Sequence, residues 1–253
     1  MNRIDLNCDL GESFGAYKMG MDEEVIPLIS SANVACGFHA SDPLVMSNTV
    51  ALCKKYGVSV GAHPGFPDLA GFGRRNLAVS LAEAKAMVQY QVGALEAFCR
   101  AEGVPLGHVK LHGALYNMAG KDYELAKAVC EGVRAVNRDL VMLVLAGSQM
   151  KKAADALGMK AAEEVFADRA YEEDGSLVAR TKLGAMIIDE KLAIERVLKM
   201  ILEKKVTAVN GREIPICADS VCVHGDGEKA LAFVQSLRSA FEQNGIDTKN
   251  FGK

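Results

Sequence analysis

The chain has 253 residues, 50% of them hydrophobic, and a formal net charge of −3. That length fits one large domain or two small ones, and a single α/β barrel spanning residues 1–253 has this size. The charge leaves no basic excess for nucleic-acid phosphates, and no stretch is apolar enough for a signal peptide or a membrane span, so a cytoplasmic protein is expected.

The first stretch, Ile4 to Gly15, alternates apolar Ile4, Leu6 and Cys8 with polar Asp5, Asn7 and Asp9, which is the period of a strand. Asp5, Asn7 and Asp9 therefore share a face. A buried carboxylate needs a partner, so this strand end is expected to floor an active site to which later strands bring His, Lys and Arg. Asp22 can cap a short helix running to about Ile29. Ser31 to Cys36 is a short second strand. Asp42-Pro43 pairs an N-cap with proline at the first helical position, and that helix stops at Gly57. Val58 to Ala62 is the third strand, followed by His63-Pro64-Gly65 and a long loop through Arg75. Loops of this length in compact domains are usually functional.

Ser80 and Glu83 form a capping box. The helix they open carries Leu81, Val88, Val92, Leu95 and Cys99 on one face and ends before Gly103. His108 to Leu111 is a fourth strand, and a helix over 122–136 follows. Leu140 to Leu145 and Ala161 to Phe166 are strands five and six, separated by a helix restarting at Gly147-Ser148. Asp189 caps a helix over 190–204, and Asn210-Gly211 marks a hairpin. Asp219 to Val223 is strand seven, and a last amphipathic helix runs to about Phe241. The seven cysteines fall in apolar contexts without a CxxC pair, as buried reduced thiols would.

Strict strand–helix alternation implies a parallel sheet with helices outside it. His39, His63, His112 and His224 follow strands two, three, four and seven. A closed barrel collects all those strand ends at one mouth, whereas an open sheet gathers only those beside its switch point. The expectation is a seven-stranded, TIM-like (β/α) barrel. His108 opens its strand at the opposite end and is left out of the site.

Lys110 and His112 share a face of strand four, where a buried lysine must pair with Asp5 or Asp9, as a structural or a proton-transferring group. Asp9, His39 and His112 could make a carboxylate-plus-two-imidazole site for a divalent metal, although no compact metal motif is present. Gly71-Phe72-Gly73-Arg74-Arg75 offers amides and two guanidinium groups suited to a carboxylate or phosphate. There is neither a P-loop nor a GxSxG elbow, so ATP, if used, is held otherwise.

These segments resemble the LamB/YcsF family, the A-type subunits of 5-oxoprolinase. The resemblance rests on Asp5-Leu6-Asn7-Cys8-Asp9-Leu10-Gly11-Glu12, Asn33 to Asp42, Gly61 to Asp68, Gly71 to Arg74, Val109 to Asn117, Phe166 to Tyr171 and Val221 to Asp226. It covers nearly the whole chain in order. It implies a (β/α)7 barrel similar to glycoside hydrolase and deacetylase barrels, and ATP-dependent opening of 5-oxoproline to L-glutamate, releasing ADP and phosphate. It also implies two partner subunits, B and C; a second copy of the chain is a further candidate partner.

For that chemistry, Asp9, His39, His63 and His112 are candidate general bases and proton carriers, with Lys110 beside them to steady a developing oxyanion. Asn7, Glu12, Asp42, Arg74, Arg75, His224 and Asp226 are candidates for holding the substrate or a phosphate. The alternatives are a metal-dependent deacetylase or amidohydrolase without ATP, and a non-catalytic subunit that delivers substrate.

Overall fold

The structure, a computed structural model, describes residues 2–223 and 228–251. Its strands are β1 (Asn2–Leu10), β2 (Ser31–Ala35), β3 (Ser59–His63), β4 (Leu106–Val109), β5 (Val141–Leu145), β6 (Ala161–Phe166), β7 (Lys205–Thr207), β8 (Glu213–Pro215), β9 (Ser220–Val223) and β10 (Ile246–Thr248). Seven of them run in the order β1-β2-β3-β4-β5-β6-β9, every neighbour parallel, and β9 pairs back onto β1. The expected seven-stranded barrel is closed. β7 and β8 form an antiparallel hairpin inside the β6–β9 connection.

Helices α1 (Asp22–Val25), α2 (Pro43–Tyr56), α3 (Leu81–Glu102), α4 (Gly113–Ala119), α5 (Tyr123–Val136), α6 (Gln149–Ala156), α7 (Glu190–Leu202) and α8 (Glu228–Gln243) fill the connections. The main core lies between barrel and helices. Outward-facing Ile4, Leu6, Cys8 and Leu10 of β1 pack in one cluster with residues such as Val50, Val92, Leu95, Val129, Val197 and Leu237 from the helices. Side chains alternate across a strand, so the apolar set faces the helices and Asp5, Asn7 and Asp9 face the lumen. Barrels of this kind usually fill the lumen with branched apolar residues. This one fills it with polar groups.

Local sequence explains the helix ends. Asp42 Oδ1 accepts from the amides of Leu44 and Val45, and Gly57 ends α2 in the left-handed conformation. Ser80 and Glu83 form the capping box at the start of α3. Asp22, expected as a cap, is instead the first residue of a four-residue helix; Pro27 lacks the N–H that would continue it, and the chain tightens to a 3-10 turn over Ile26–Leu28. The Asp22 carboxylate accepts from the Gly11 amide at 2.9 Å. Leu81 is 46% exposed, in the first turn of α3, while the rest of its expected face is buried. Cys217 is exposed; the other six cysteines are buried.

Two elements lay outside the sequence reading. α4 is a short helix directly after His112. β10 adds a parallel strand beside Asn2–Ile4, and Phe251 beyond it packs edge-on against the His108 ring, 5.2 Å between centroids. The C-terminal segment thus stoppers the lower end of the lumen. Among the described residues, no helix is long and apolar enough to cross a membrane.

Candidate active site at the barrel mouth

The lumen is a hydrogen-bonded column that rises from β1. At its base, Ser30 and Ser31 each donate to Asp5 Oδ1 at 2.6 Å, and Ser220 donates to Oδ2. Burial pushes the Asp5 carboxyl up to about 6 despite these three hydroxyls. One layer higher, Asn33 Nδ2 donates to Asn7 Oδ1 (2.8 Å) and Asp9 Oδ1 (2.9 Å), and His108 Nε2 donates to Asn33 Oδ1 (2.8 Å). β4 begins at Leu106, two residues earlier than expected, so His108 sits inside the lumen rather than at its opening. It serves the layer under the mouth.

Lys110 is the centre of the next layer. Its Nζ lies 2.9 Å from Asp9 Oδ1, 3.1 Å from Glu164 Oε2 and 3.1 Å from Asn7 Oδ1. Burial works against the ammonium, but Asp9 and Glu164 outweigh it and hold the group well above the ordinary lysine range. Glu164 is wholly buried, and burial raises its carboxyl while Lys110 opposes the rise. The expected pairing of Lys110 with an acid is therefore present, with Asp9 rather than Asp5.

At the mouth, His39, His63 and His112 come together. The His39 and His112 rings stack with centroids 3.7 Å apart and planes 3° from parallel. His63 meets His112 edge-on at 4.9 Å, and Phe72 roofs His39 and His112 edge-on at 5.7 and 5.2 Å. This crowding dictates the glycines around it. A Cβ on Gly65 would lie 2.7 Å from His39 Nδ1, and one on Gly73 (φ +61°) would lie 2.7 Å from His39 Cβ and 2.9 Å from His112 Cδ2.

The hydrogen bonds of the histidines fix their tautomers. His63 Nδ1 lies 2.8 Å from the Lys110 carbonyl, and His112 Nε2 lies 2.8 Å from the Phe72 carbonyl. A carbonyl only accepts, so both of those nitrogens carry hydrogen. The remaining nitrogens, His63 Nε2 and His112 Nδ1, face each other at 2.9 Å. Two lone pairs cannot sit at that distance without a proton or a metal cation between them. Asp9 Oδ2 lies 3.3 Å from His63 Nε2, and Glu12 Oε1 lies 3.6 Å from His112 Nδ1 and 3.4 Å from His39 Nε2. Burial, then the neighbouring imidazoles, hold His39 well below the usual histidine value; burial, then His63, push His112 down to about 3.

Glu12, His39, His63 and His112 each offer a ligand atom, all within 4.8 Å of one another, and could hold a metal ion. The set differs from the expected Asp9, His39 and His112: Glu12 and His63 belong to it, while Asp9 faces Lys110 and His63 from below. The donor chemistry suits a divalent ion such as zinc. His63 and His112 have their outer N–H groups anchored on carbonyls, as metal-bound imidazoles require. His39 has no such anchor, since its Nδ1 is buried without a partner.

A cleft of about 860 Å³ opens above this layer, with Asp9, Glu12, His63, Arg74, Lys110 and His112 along its inner part. Other expected binding residues lie elsewhere. Asn7 is sealed beneath the cleft. Asp42 is occupied as the cap of α2 and also accepts from the Gly15 amide at 2.8 Å. Arg75 is turned onto Asp68, with Nε 3.0 Å from the carboxylate. His224 and Asp226 lie outside the described residues. Sequence reasoning missed Glu164, Tyr116 and Arg169, which is 5% exposed and also lines the cleft. Alternation along Ala161–Phe166, with Val165 outward, is the signal that places Glu164 inward.

The model of the LamB/YcsF family matches residues 4–253. The chain is 67% identical to a protein of Clostridium beijerinckii named as the A-type subunit of 5-oxoprolinase, covering 98% of this chain and 97% of that protein. A protein of the same name from Campylobacter jejuni subsp. jejuni is 56% identical, over 97% of this chain and 96% of its own. Among solved structures, the lactam utilization protein of Thermus thermophilus superposes with a TM-score of 0.93 at 46% identity, covering 98% of this chain and 100% of that one.

Proposed function

The chain belongs to the LamB/YcsF family, and from that membership we propose that it is the ring-opening subunit of an ATP-dependent 5-oxoprolinase. It acts with partner subunits B and C, and its substrate is 5-oxo-L-proline. The names of the relatives support the substrate and the multi-subunit complex. The observation that carries the reading is the convergence of Asp9, Lys110, His63 and His112 along the inner end of one cleft.

A lactam is an unactivated amide with a poor leaving group. Transfer of the γ-phosphoryl of ATP to the lactam oxygen, with ADP leaving, makes the ring carbon electrophilic. Water then adds to that carbon, the ring C–N bond breaks to leave the open-chain acyl phosphate, and a second water cleaves that to carboxylate and inorganic phosphate. Asp9 takes the proton from water, the proton shared by His63 and His112 passes to the ring nitrogen, and Asp9, 3.3 Å from His63 Nε2, recharges the pair. The Lys110 ammonium, fixed beforehand between Asp9 and Glu164, faces the charge that develops on the former carbonyl oxygen. Arg74, with its guanidinium 5.0 Å over the Phe72 ring, is positioned for the substrate carboxylate.

The test is glutamate release by the three-subunit complex carrying His112→Ala or Lys110→Ala. Each substitution is expected to cost at least about 100-fold; unchanged turnover in both refutes the assignment.

A second reading, a metal-dependent amidohydrolase without ATP, is favoured by the four ligand atoms at the mouth and by the facing nitrogens of His63 and His112. A divalent ion there would polarise a carbonyl and acidify a water from about 15.7 to about 7. Stoichiometric metal in the purified chain, with ATP-independent activity lost on chelation, would select this reading.

A further inference from the structure

The cleft is far larger than one five-membered ring needs. Sites of roughly 300–1,000 Å³ take drug-sized ligands, and this one reaches about 860 Å³. Its inner end, at Asp9, His63, Lys110 and His112, is accounted for above. Beyond the strand ends, in the connections after β4, β5 and β6, the same cleft is lined by Lys121, Ser148, Lys152, Arg169 and Arg180, with Asp174 among them, and this is its outer part. None of Lys121, Lys152, Arg169 and Arg180 has a carboxylate at ion-pair distance among the described residues. A concave wall with such an excess of positive charge concentrates anions.

Ser148 sharpens the picture. Its backbone stands in the N-cap position of α6 (φ −74°, ψ 169°), yet its hydroxyl accepts no helix amide. The side chain is 7% exposed, and its Oγ is buried with no hydrogen-bond partner among the described residues. A serine in that position ordinarily gives its oxygen to the helix, and an idle buried hydroxyl is costly. Lys152 follows one turn along the same helix. Arg169 repeats the pattern: it is buried, its NH2 group donates to the Val178 carbonyl at 2.7 Å, and its Nε has no partner. A helix N-terminus with an idle hydroxyl, a lysine and an under-used arginine thus line one cleft, and these are the donors that a tetrahedral anion takes.

We propose that the outer half of the cleft, between Ser148, Lys152 and Arg169, is a phosphoryl-binding subsite of this chain. It rests on the ring-opening reading above and extends it. The lactam ring occupies the inner end, and the phosphate attached to it, or the polyphosphate of a nucleotide, occupies the outer end. Both ligands present the same chemistry, a dianionic phosphoryl group.

Calorimetric titration of the full chain with inorganic phosphate, pyrophosphate, ADP and 5-oxo-L-proline tests the assignment, on the wild type and on Ser148→Ala, Lys152→Ala and Arg169→Gln. Pyrophosphate should bind with an affinity that falls as salt rises. Lys152→Ala should weaken it about ten-fold, as expected for loss of one charge-assisted contact, and by far more than it weakens 5-oxo-L-proline. ADP binding tighter than pyrophosphate identifies a nucleotide as the source; equal affinities identify a phosphorylated lactam. Retained 5-oxo-L-proline binding with no phosphate, pyrophosphate or ADP bound at millimolar concentration overturns the subsite and spares the ring-opening reading. Anion binding indifferent to all three substitutions overturns it as well. Anion binding that responds to them, without any 5-oxo-L-proline binding, upholds the subsite and removes the ring-opening reading. Because Lys152 is exposed, its variant remains informative should Arg169→Gln fail to fold.

Discussion

Replacing Lys110 by Met tests how the lumen is held together. Met keeps most of the apolar stem and fills the same volume, so little cavity energy enters. What is lost is the ammonium 2.9 Å from Asp9 and 3.1 Å from Glu164. Removing one member of a buried ion pair costs about 3–5 kcal/mol, because the partner's charge stays behind in a low-dielectric site. Here Glu164 is fully buried and its carboxyl is already raised, so it responds by taking up a proton. That relief keeps the expected loss near about 3 kcal/mol at neutral pH rather than at the top of the range. Against a total stability of roughly 5–15 kcal/mol this is a large fraction. The assay is urea unfolding at pH 7, read as a fall in midpoint at constant slope. Adding Glu164→Leu to Lys110→Met should restore about 1–2 kcal/mol, since the stranded carboxyl is gone. A single variant within about 1 kcal/mol of wild type, or a double variant no better than the single, would show that the Lys110 network does not behave as a buried ion pair.

The packing around the histidines makes Gly73→Ala damaging twice over. Its positive φ strains any Cβ, and that Cβ meets His39 and His112; about 1–3 kcal/mol should be lost, with a fall in glutamate release beyond about ten-fold as the rings shift. His108, pushed down to about 3 chiefly by burial and then by Lys110, stays neutral in the fold but takes a proton in the unfolded chain below about pH 6.5. Its contribution is complete above that pH and is lost on acidification by about 1.4 kcal/mol per unit. His108→Gln, which keeps a donor for Asn33, should therefore flatten the acid limb of the stability–pH curve between about 6.5 and about 4.5; an unchanged slope contradicts a neutral buried imidazole. Asp42→Ala should lower the melting temperature of the chain by a few degrees, and Asp42→Asn, able to cap the same helix, should recover most of it; equal losses in both would mean that the negative charge matters more than the cap.

Much of this molecule can be read from the chain because its barrel keeps a strict division of labour. Ile4, Leu6 and Cys8 alternate with Asp5, Asn7 and Asp9, and helices follow the strands, α2, α3, α5 and α7 each opened by a side-chain cap at Asp42, Ser80, Asp122 and Asp189, so the parallel architecture and the gathering of His39, His63 and His112 are both visible in one dimension. The partners are not. Nothing in Glu163-Glu164 announces that the second glutamate meets Lys110 across the lumen, since that contact depends on register around a closed ring. Asp42 and Arg75 show the opposite difficulty. Each is a plausible ligand-binding group by type, but Asp42 is consumed by the amides of Gly15, Leu44 and Val45, and Arg75 by Asp68 seven residues before it. Local hydrogen bonding claims such side chains before any substrate can. Arg169 escaped notice because its burial comes from the 170–185 segment folding over it, a segment with no regular helix or strand to signal it. β10 is three residues long and owes its existence to the exposed lower edge of β1.

Crystals of the chain soaked with 5-oxo-L-proline offer the most direct check on the role given to the barrel mouth. The ring should lie in the inner end of the cleft, with its lactam carbonyl in hydrogen-bond reach of Lys110 Nζ or of the His63–His112 pair. Density for the ring anywhere else, with those three side chains untouched, would contradict it.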